Sequence, residues 1–335
     1  MGVYTMTELS LVKSEPGYKD RVIVKLERDL GPVILKALCE PKTIEVMVNA
    51  DGNIWQEQLG LPMTCIGTLS PSKTEAIIKT VSGYHSKEAT RLKPVIEGEL
   101  PIKTASRSLP RFAGSLPPVV PEPVFAIRIG AAAIFSLADY VSNGIMSEQQ
   151  AECIQTAIKA HRNILVTGGT GSGKTTLINA IIQEMVVNEP SERIVIIEDT
   201  GEIQCSATNF VQFHTTFDVN MAMLLKTTLR MRPDRILVGE VRGAEALDLL
   251  MAWNTGHEGG AATLHANNAR AGLTRLAMLI SMNPDSPRSI EPLIGEAVHL
   301  IVHITKTPQG RKVTEIIEIS GYDGSQYRIR NLCEP

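Results

Sequence analysis

The chain has 335 residues, of which 43% are hydrophobic and 21% charged; this composition excludes a disordered or fibrous protein and predicts about two globular domains. The 33 Lys and Arg residues are balanced by 36 Asp and Glu residues, so no basic excess indicates a nucleic-acid partner. The five cysteines are scattered without a C-x-x-C pair, which excludes the usual zinc and dithiol motifs. No apolar stretch approaches the ~18 residues of a membrane-spanning helix, and we expect a cytoplasmic protein.

The first part of the chain has the pattern of a small mixed α/β domain. Alternating apolar residues over 42–48 predict a strand, which leads through the turn 49–52 into a second strand. Residues 72–81 have the pattern of a helix. We therefore predict an N-terminal α/β domain over 1–128.

A proline-rich segment lies near the end of this domain. Residues 116–123 contain too many prolines for a helix or a central strand, and we expect an extended crossing near the domain edge. Residues 129–146, which include the apolar run 131–137, are predicted as a linker.

The remainder, 147–335, alternates helices with short apolar strands. Ser147 begins a capping box with Gln150, and the helix that follows should end near Arg162. Strands are predicted at 164–167, 194–197, 236–238 and 261–264. This alternation indicates a largely parallel sheet covered by helices, and two late apolar runs, at 298–304 and 313–319, can pair as a hairpin.

A glycine-rich loop follows the first of these strands. Its residues fit G-x-x-x-x-G-K-[ST], with one further Thr: Gly168, Gly169, Thr170, Gly171, Ser172, Gly173, Lys174, Thr175 and Thr176. The glycines let backbone N–H groups surround phosphates at the start of a helix. Lys174 should reach the β- and γ-phosphates, and the Thr175 hydroxyl should contact Mg²⁺. The loop therefore predicts binding of ATP with Mg²⁺.

Acidic residues follow two other predicted strands. Glu198, Asp199 and Glu202 come after the second strand, and Glu240 comes after the third. Because the carboxyl ends of parallel strands share one edge with the phosphate loop, these acids should converge on the nucleotide and activate water. The usual second motif would have Asp where Gly239 stands. The predicted magnesium ligands are Thr175, Glu198, Asp199 and Glu240.

Two histidines flank the fourth predicted strand. His257 lies in a glycine-rich turn before it, and His265 lies at its end. We expect both at the nucleotide edge of the sheet, in a nucleotide-sensing role.

Taken together, these motifs resemble those of the type II and type IV secretion ATPases. The phosphate loop is followed by Ile-Glu-Asp-Thr-Gly-Glu-Ile, then by Arg-Pro-Asp-Arg-Ile-Leu-Val-Gly-Glu-Val-Arg, and then by Thr-Gly-His and Thr-Leu-His-Ala-Asn. These motifs are similar to the family's Walker A, Asp box, atypical Walker B and His box. Segments before the loop, among them Leu30-Gly31-Pro32 and Phe125-Ala126-Ile127-Arg128, resemble conjugative-transfer ATPases of type IV secretion systems.

This resemblance implies a RecA-like P-loop motor domain with a smaller N-terminal α/β domain, and nucleotide bound between the two. It implies a homohexameric ring at the inner membrane that works with other mating-pair components in pilus assembly or substrate transfer. It also implies that Glu202 and Glu240 activate water, that His257 and His265 form the His box, and that Arg111 and Arg128 reach the phosphates. Residues 103–110 look like an insertion, which weakens the assignment of Arg111 more than that of Arg128.

Other interpretations stay open at this point. A type IV pilus or type II secretion motor shares the superfamily, although the four-cysteine insert of the general-secretion type is missing from this sequence. A DNA-translocating RecA-like ATPase is possible on fold alone, and direct DNA binding is left open. A GTPase switch would need an Asn-Lys-x-Asp stretch, which the sequence lacks.

Overall fold

A computed structural model of the protein describes residues 17–58, 61–104, 109–130, 135–199, 201–216 and 218–333. The chain divides into two compact units, Met1–Ala132 and Ala133–Pro335. Within the described residues, no helix combines the length and the apolarity that crossing a membrane would require.

The first unit is an antiparallel sheet with two helices. Its elements in chain order are α1 (Tyr18–Cys39), β1 (Thr43–Val48), β2 (Asn53–Gln58), β3 (Thr64–Thr68), α2 (Pro71–Tyr84), β4 (Val95–Glu99), β5 (Arg111–Ser115) and β6 (Val124–Arg128). The strands form one sheet in the order β3-β2-β1-β6-β5-β4. Its core contains Leu26, Ile34, Ile77, Phe112 and Ile127, each no more than 1% exposed.

The predicted strand pair and helix of this unit are confirmed as β1, β2 and α2. Gly52, with φ of 81°, provides the left-handed residue that the turn between the two strands requires. Helix α1 was not predicted, and Gly31 (φ 72°) followed by Pro32 interrupts its pattern. The expected crossing at 116–123 is instead the connection between β5 and β6, which pair with each other in the same sheet.

The second unit is built on an eight-stranded sheet. Its first elements are α3 (Leu137–Ser142), α4 (Glu148–Lys159), β7 (Ile164–Gly168), α5 (Lys174–Asn188), β8 (Ile194–Glu198), β9 (Phe210–His214), α6 (Met221–Thr228) and β10 (Arg235–Val241). They are followed by α7 (Ala246–Trp253), β11 (Ala261–His265), α8 (Ala269–Ser281), α9 (Glu291–Ala297), β12 (Leu300–Thr307), β13 (Gly310–Tyr322) and β14 (Tyr327–Cys333).

The strand order β14-β13-β12-β7-β11-β10-β8-β9 places the phosphate-loop strand β7 near the centre of this sheet. The pairs from β12 to β9 are parallel, and β12, β13 and β14 pair antiparallel. Every residue of β7 and β8 is buried, as expected for strands covered on both faces. The carboxyl ends of β7, β11, β10 and β8 therefore share one edge, which is where the candidate site lies.

The stretch predicted as a linker, 129–146, contains a folded helix. Ser136 caps α3 through a capping box with Asp139, and Leu137, Tyr140 and Met146 are buried in the core of the second unit. Burial of these apolar side chains stabilises the segment as part of that unit. Part of the predicted apolar run and part of the predicted insertion, at 131–134 and 105–108, lie outside the described residues.

Candidate functional site

The phosphate loop connects the buried strand β7 to helix α5. Gly171 and Gly173 have φ of 70° and 101°, a left-handed conformation that side chains rarely adopt. A Cβ at Gly168 would lie 2.5 Å from the Ser172 hydroxyl oxygen and would collide with the Ile304 carbonyl. These constraints explain why glycine occupies the fixed positions of the loop.

Lys174 begins α5 and is only 7% exposed. Its ammonium Nζ donates a hydrogen bond of 3.0 Å to the Gly169 carbonyl, which bends the side chain back over the loop. Thr175 and Thr176 occupy the first turn of α5 behind it and are both half-buried. The N–H groups of the first helical turn and the positive end of the helix dipole favour an anion at this position.

A histidine and a carboxylate lie next to the lysine. The Lys174 Nζ lies 3.4 Å from both ring nitrogens of His265, at the end of the adjacent strand β11. The His265 Nε2 in turn lies 3.1 Å from Oε1 of Glu240, near the end of β10. Three neighbouring strands thus bring Lys174, His265 and Glu240 together at the carboxyl edge of the parallel sheet.

Arg242 extends this chain of charges toward the far edge of the sheet. Its guanidinium donates to Glu240 Oε2 at 2.8 Å and to Asp199 Oδ2 at 3.3 Å. The Thr215 hydroxyl, just after β9, donates to Asp199 Oδ1 at 2.8 Å. The predicted residues Glu240 and Asp199 are therefore joined by an arginine that sequence reasoning missed. Its signal in the sequence is its position directly after β10, two residues beyond Glu240.

The charges at this edge control protonation. Burial raises the pKa of Glu240, but the hydrogen bond from Arg242 and the charges of Arg242, of Lys174 and of His265 when protonated outweigh it, and the net pKa is lower than its ordinary value. Burial and the charge of Lys174 lower the pKa of His265. At neutral pH the site therefore holds an ionised carboxylate beside a neutral imidazole.

Glu198 is used differently from the prediction. Its side chain is buried, and Oε2 accepts hydrogen bonds from the backbone N–H groups of Glu202 and Ile203, at 2.9 and 3.0 Å. Oε1 accepts a short hydrogen bond from the Gln212 amide. Because protein donors occupy both oxygens, these contacts favour a structural role for Glu198 over the predicted role of magnesium ligand. They fold the segment after β8 into a loop that carries Glu202.

This same side chain explains the glycine in the atypical second motif. A Cβ at Gly239 would lie 2.8 Å from the Glu198 Cβ, closer than side-chain atoms normally approach. The space that an aspartate would need at position 239 is filled by Glu198 from the neighbouring strand.

Glu202 interacts electrostatically with Arg242 of the site. It contributes to raising the pKa of Arg242, after the larger effect of the Glu240 hydrogen bond. Its backbone carbonyl accepts a hydrogen bond of 3.2 Å from the Asn179 amide of α5. Glu202 and Glu240 therefore both belong to the charge network around Arg242.

His257 lies at the other end of the sheet, which corrects the expectation that both histidines share the nucleotide edge. It precedes β11, and β11 runs parallel to β7, so His257 sits at the amino ends of these strands. From the first residue of β11 to His265, its last, the strand spans about 13 Å at ~3.3 Å per residue, and His257 lies before that first residue. Its Nδ1 is buried without a hydrogen-bond partner among the described residues.

Residues 96–326 match the T2SSE family, described as "Type II/IV secretion system protein". This match covers more than half of the chain. The chain belongs to the type II/IV secretion system protein family. A relative with the name "Conjugal transfer protein TrbB", from Rhizobium radiobacter, is 46% identical over 314 residues, which cover 94% of this chain and 95% of that protein.

Two solved structures show the same fold as this secretion-family member. The Legionella pneumophila ATPase DotB matches with a TM-score of 0.61 at 20% identity, over 90% of this chain and 80% of that one. The pilus retraction motor PilT, solved with bound ADP, matches with a TM-score of 0.61 at 21% identity, over 84% and 80%. The expected RecA-like architecture with a smaller N-terminal α/β domain is thereby confirmed.

The two predicted arginines of this secretion-family chain lie side by side in the first unit. Arg111 of β5 is directly opposite Arg128 of β6, and directly opposed residues share one face of a sheet. Glu45 of β1 flanks Arg128, and Glu99 of β4 flanks Arg111. The two arginines are thus neighbours in the sheet, with one carboxylate on each side of the pair. Burial raises the pKa of Glu45, and the charge of Arg128 partly opposes this shift.

Proposed function

We propose that this chain is an ATPase that binds ATP with Mg²⁺ at the loop from Gly168 to Thr175 and hydrolyses it. The observation that carries this proposal is the contact of Lys174 with His265 and, through it, with Glu240 at the carboxyl edge of the sheet. A cation for the phosphates and an ionised carboxylate for water stand together there, and both are needed for phosphoryl transfer to water.

The proposed phosphate site uses the loop backbone and Lys174. The N–H groups at the start of α5 bind phosphate oxygens, and the ammonium group of Lys174 leaves the Gly169 carbonyl to neutralise the β- and γ-phosphates. His265 lies between this ammonium group and Glu240, where it can sense whether a γ-phosphate is bound.

The residues present also fit a magnesium ion held largely by its substrate. Within the described residues, no group of three His, Cys, Asp or Glu side chains could hold a metal by itself. Mg²⁺ in nucleotide sites usually keeps several waters and takes only one or two protein ligands beside the phosphates. Thr175 would provide its hydroxyl, and Glu240 or Asp199 would hold the ion through water. When bound, Mg²⁺ neutralises charge on the phosphates.

Water activation is assigned to Glu240 and Glu202, the two acids that interact with Arg242. A carboxylate must be ionised to accept a proton from water, and the surrounding cations keep the pKa of Glu240 low. Glu240 is therefore the first candidate for orienting the water, and Glu202 is the second.

The biological role proposed is that of a motor in a type IV secretion or conjugative-transfer system. The similarity to a conjugal transfer protein along nearly the whole chain supports this assignment. The chain would act as a homohexamer at the cytoplasmic face of the inner membrane, together with other mating-pair components, in pilus assembly or substrate transfer. The net charge of −3 gives no electrostatic argument for direct DNA binding.

The test is Lys174→Ala in the purified protein, measured by phosphate release and by equilibrium binding of a fluorescent ATP analogue. We expect turnover to be abolished and ATP binding to weaken sharply, because the phosphates lose their cation. Lys159→Ala, at an exposed lysine at the end of α4, is the matched control and should behave as the wild type. Normal turnover in Lys174→Ala would refute the site.

A further inference from the structure

An arginine that the proposed mechanism does not use lies against the phosphate loop. Arg311 is near the start of β13, opposite Lys306 in the β12–β13 hairpin. A Cβ placed on Gly173 would lie 2.9 Å from the Arg311 Cδ and 3.2 Å from its Nε. Gly173 is the residue directly before Lys174, so the guanidinium group stands at the mouth of the phosphate site.

One donor of this guanidinium has no acceptor. The Arg311 Nε is buried and has no hydrogen-bond partner within the described part of the chain. Leaving a buried, charged donor unsatisfied costs free energy, and such groups in native structures call for an explanation. The buried Tyr140 is close enough for the charge of Arg311 to lower its pKa, although the larger effect of burial raises it. An anionic ligand at the loop would supply the missing acceptor.

The strand order indicates which part of a nucleotide Arg311 would meet. His265 and Glu240 lie on the β11 and β10 side of β7, whereas Arg311 lies on the opposite, β12 and β13 side. A triphosphate whose γ-phosphate faces Glu240 and whose middle lies at the start of α5 must direct its α-phosphate toward the β12–β13 side.

We propose that Arg311 binds the α-phosphate of the nucleotide, a contact that rests on the ATP site proposed above. A guanidinium offers several donors in a planar fork that suits phosphate oxygens. Because the α-phosphate is not changed by hydrolysis and is shared by ATP and ADP, this contact strengthens binding of both and does not act selectively on the transition state.

The test uses Arg311→Gln, which removes the charge and shortens the side chain to a polar amide near the position of Nε. A charge-assisted hydrogen bond contributes about 1.5–3 kcal/mol, so we expect ADP affinity to fall about 10- to 100-fold and KM for ATP to rise similarly. The value of kcat should stay near that of the wild type. Lys312→Gln, at the exposed next residue of the same strand, is the matched control and should leave both constants unchanged.

A second measurement locates the contact on the ligand. The two diastereomers of ADP with sulfur at the α-phosphate are compared with ADP in the wild type and in Arg311→Gln, as a double-mutant cycle. We expect the wild type to bind one diastereomer more weakly and the variant to lose that difference. An equal loss for ADP and both diastereomers, or a lower kcat at unchanged affinity, would overturn the proposal.

The melting temperature separates binding from a structural role. Without nucleotide, Arg311→Gln should melt no earlier than the wild type, since a partly buried charge has been removed, while the stabilisation by ADP should shrink. Earlier melting with unchanged ADP affinity would contradict the assignment. If Lys174→Ala loses ATP binding but Arg311→Gln keeps it, only the Arg311 contact fails; if Lys174→Ala retains turnover, the ATP site itself fails.

Discussion

The carboxylate of Glu240 uses each oxygen for a different partner. Oε2 receives Arg242, and Oε1 faces the neutral His265 ring. The oxygen beside His265 is the one nearer to Lys174 and the phosphate loop. A water between that oxygen and a bound γ-phosphate would meet an ionised acceptor, which is the state that proton transfer requires.

Replacing Glu240 by Gln should separate binding from hydrolysis. The amide preserves the shape but cannot accept the proton, so we expect ATP binding to persist and single-turnover phosphate release to fall about 100- to 10,000-fold. Glu202→Gln, measured in parallel, identifies which acid activates water, since the larger loss of turnover marks it. Normal turnover in both variants would show that neither strand-end acid has this role.

Arg128 stays a sequence-based prediction for the phosphate site. Arg128 lies opposite Arg111 in the sheet of the first unit, and Glu45 and Glu99 lie next to this pair. We expect Arg128→Ala to reduce kcat more than nucleotide affinity, because charge builds on the transferring phosphoryl group in the transition state.

The conservative change Arg128→Lys provides the control. Lysine keeps a point charge but loses the planar fork of donors, so turnover should remain low. Wild-type turnover in the lysine variant, together with earlier melting of the alanine variant, would instead assign Arg128 to a structural ion pair.

At the scale of elements, the neighbouring strands β8 and β10 pack closely at Gly239, which has no side chain. The side chain of Glu198 lies over Gly239, and its oxygens hold the loop that carries Glu202. Thr263 of β11 also donates a short hydrogen bond to the Gly239 carbonyl, at 2.6 Å. The position of Glu202 thus depends on the absence of a side chain at position 239, on a strand two places away from the phosphate-loop strand.

Gly239→Ala should therefore disturb both stability and turnover. The added methyl group collides with Glu198, and we expect the free energy of unfolding to fall by about 1–3 kcal/mol, as in overpacked cores. Chemical denaturation measures this loss, and phosphate release reports the displaced loop. Gly83→Ala in α2 is the control, because its nearest atom beyond the helix is 3.9 Å away and alanine favours helices. Equal stability of the two variants would contradict this account.

Sequence patterns predicted the elements that are determined by residues close to one another in the chain. The phosphate loop, the capping box at Ser147 and the buried strands of the parallel sheet follow from residue spacing. The rule that the carboxyl ends of parallel strands share one edge also placed the strand-end acids near the phosphate loop. The side of the sheet on which His257 falls was available from strand direction, since a residue before a parallel strand lies at its amino end.

Other features depend on contacts that no local pattern contains. The use of Glu198 as a hydrogen-bond acceptor for its own loop depends on Gln212 of β9, and Arg311 reaches Gly173 through a hairpin far along the chain. The helix α3 did have a local signal, the capping box of Ser136 and Asp139. This helix was not predicted because the apolar run beside it was interpreted as part of a connecting stretch.

At the scale of the whole molecule, residues of the candidate site are exposed to solvent in a single chain. The side chains of Arg242 and His265 are 56% and 42% exposed, although hydrolysis of ATP benefits from exclusion of bulk water. Exposed methionines lie on three helices of the second unit: Met223, Met251, Met278 and Met282. Such side chains suit contacts between copies of a protein.

We expect a six-membered ring, as the family resemblance implies. Size-exclusion chromatography with light scattering on Glu240→Gln, with ATP and Mg²⁺ to hold the bound state, should give about six times the 36.4 kDa chain, favoured by closed symmetry. The same measurement without nucleotide shows whether the ring needs ATP. A strictly monomeric protein with full ATPase activity would contradict this prediction.

The close fit of Glu198 over Gly239 also restricts how this sequence can evolve. A single substitution that restores aspartate at position 239 would meet the Glu198 side chain, and shortening Glu198 first would release the backbone of Glu202 and Ile203. Both single-step intermediates are impaired, so the two positions have to change together. Lineages with this packing are therefore expected to retain glycine at 239 for as long as they retain glutamate at 198.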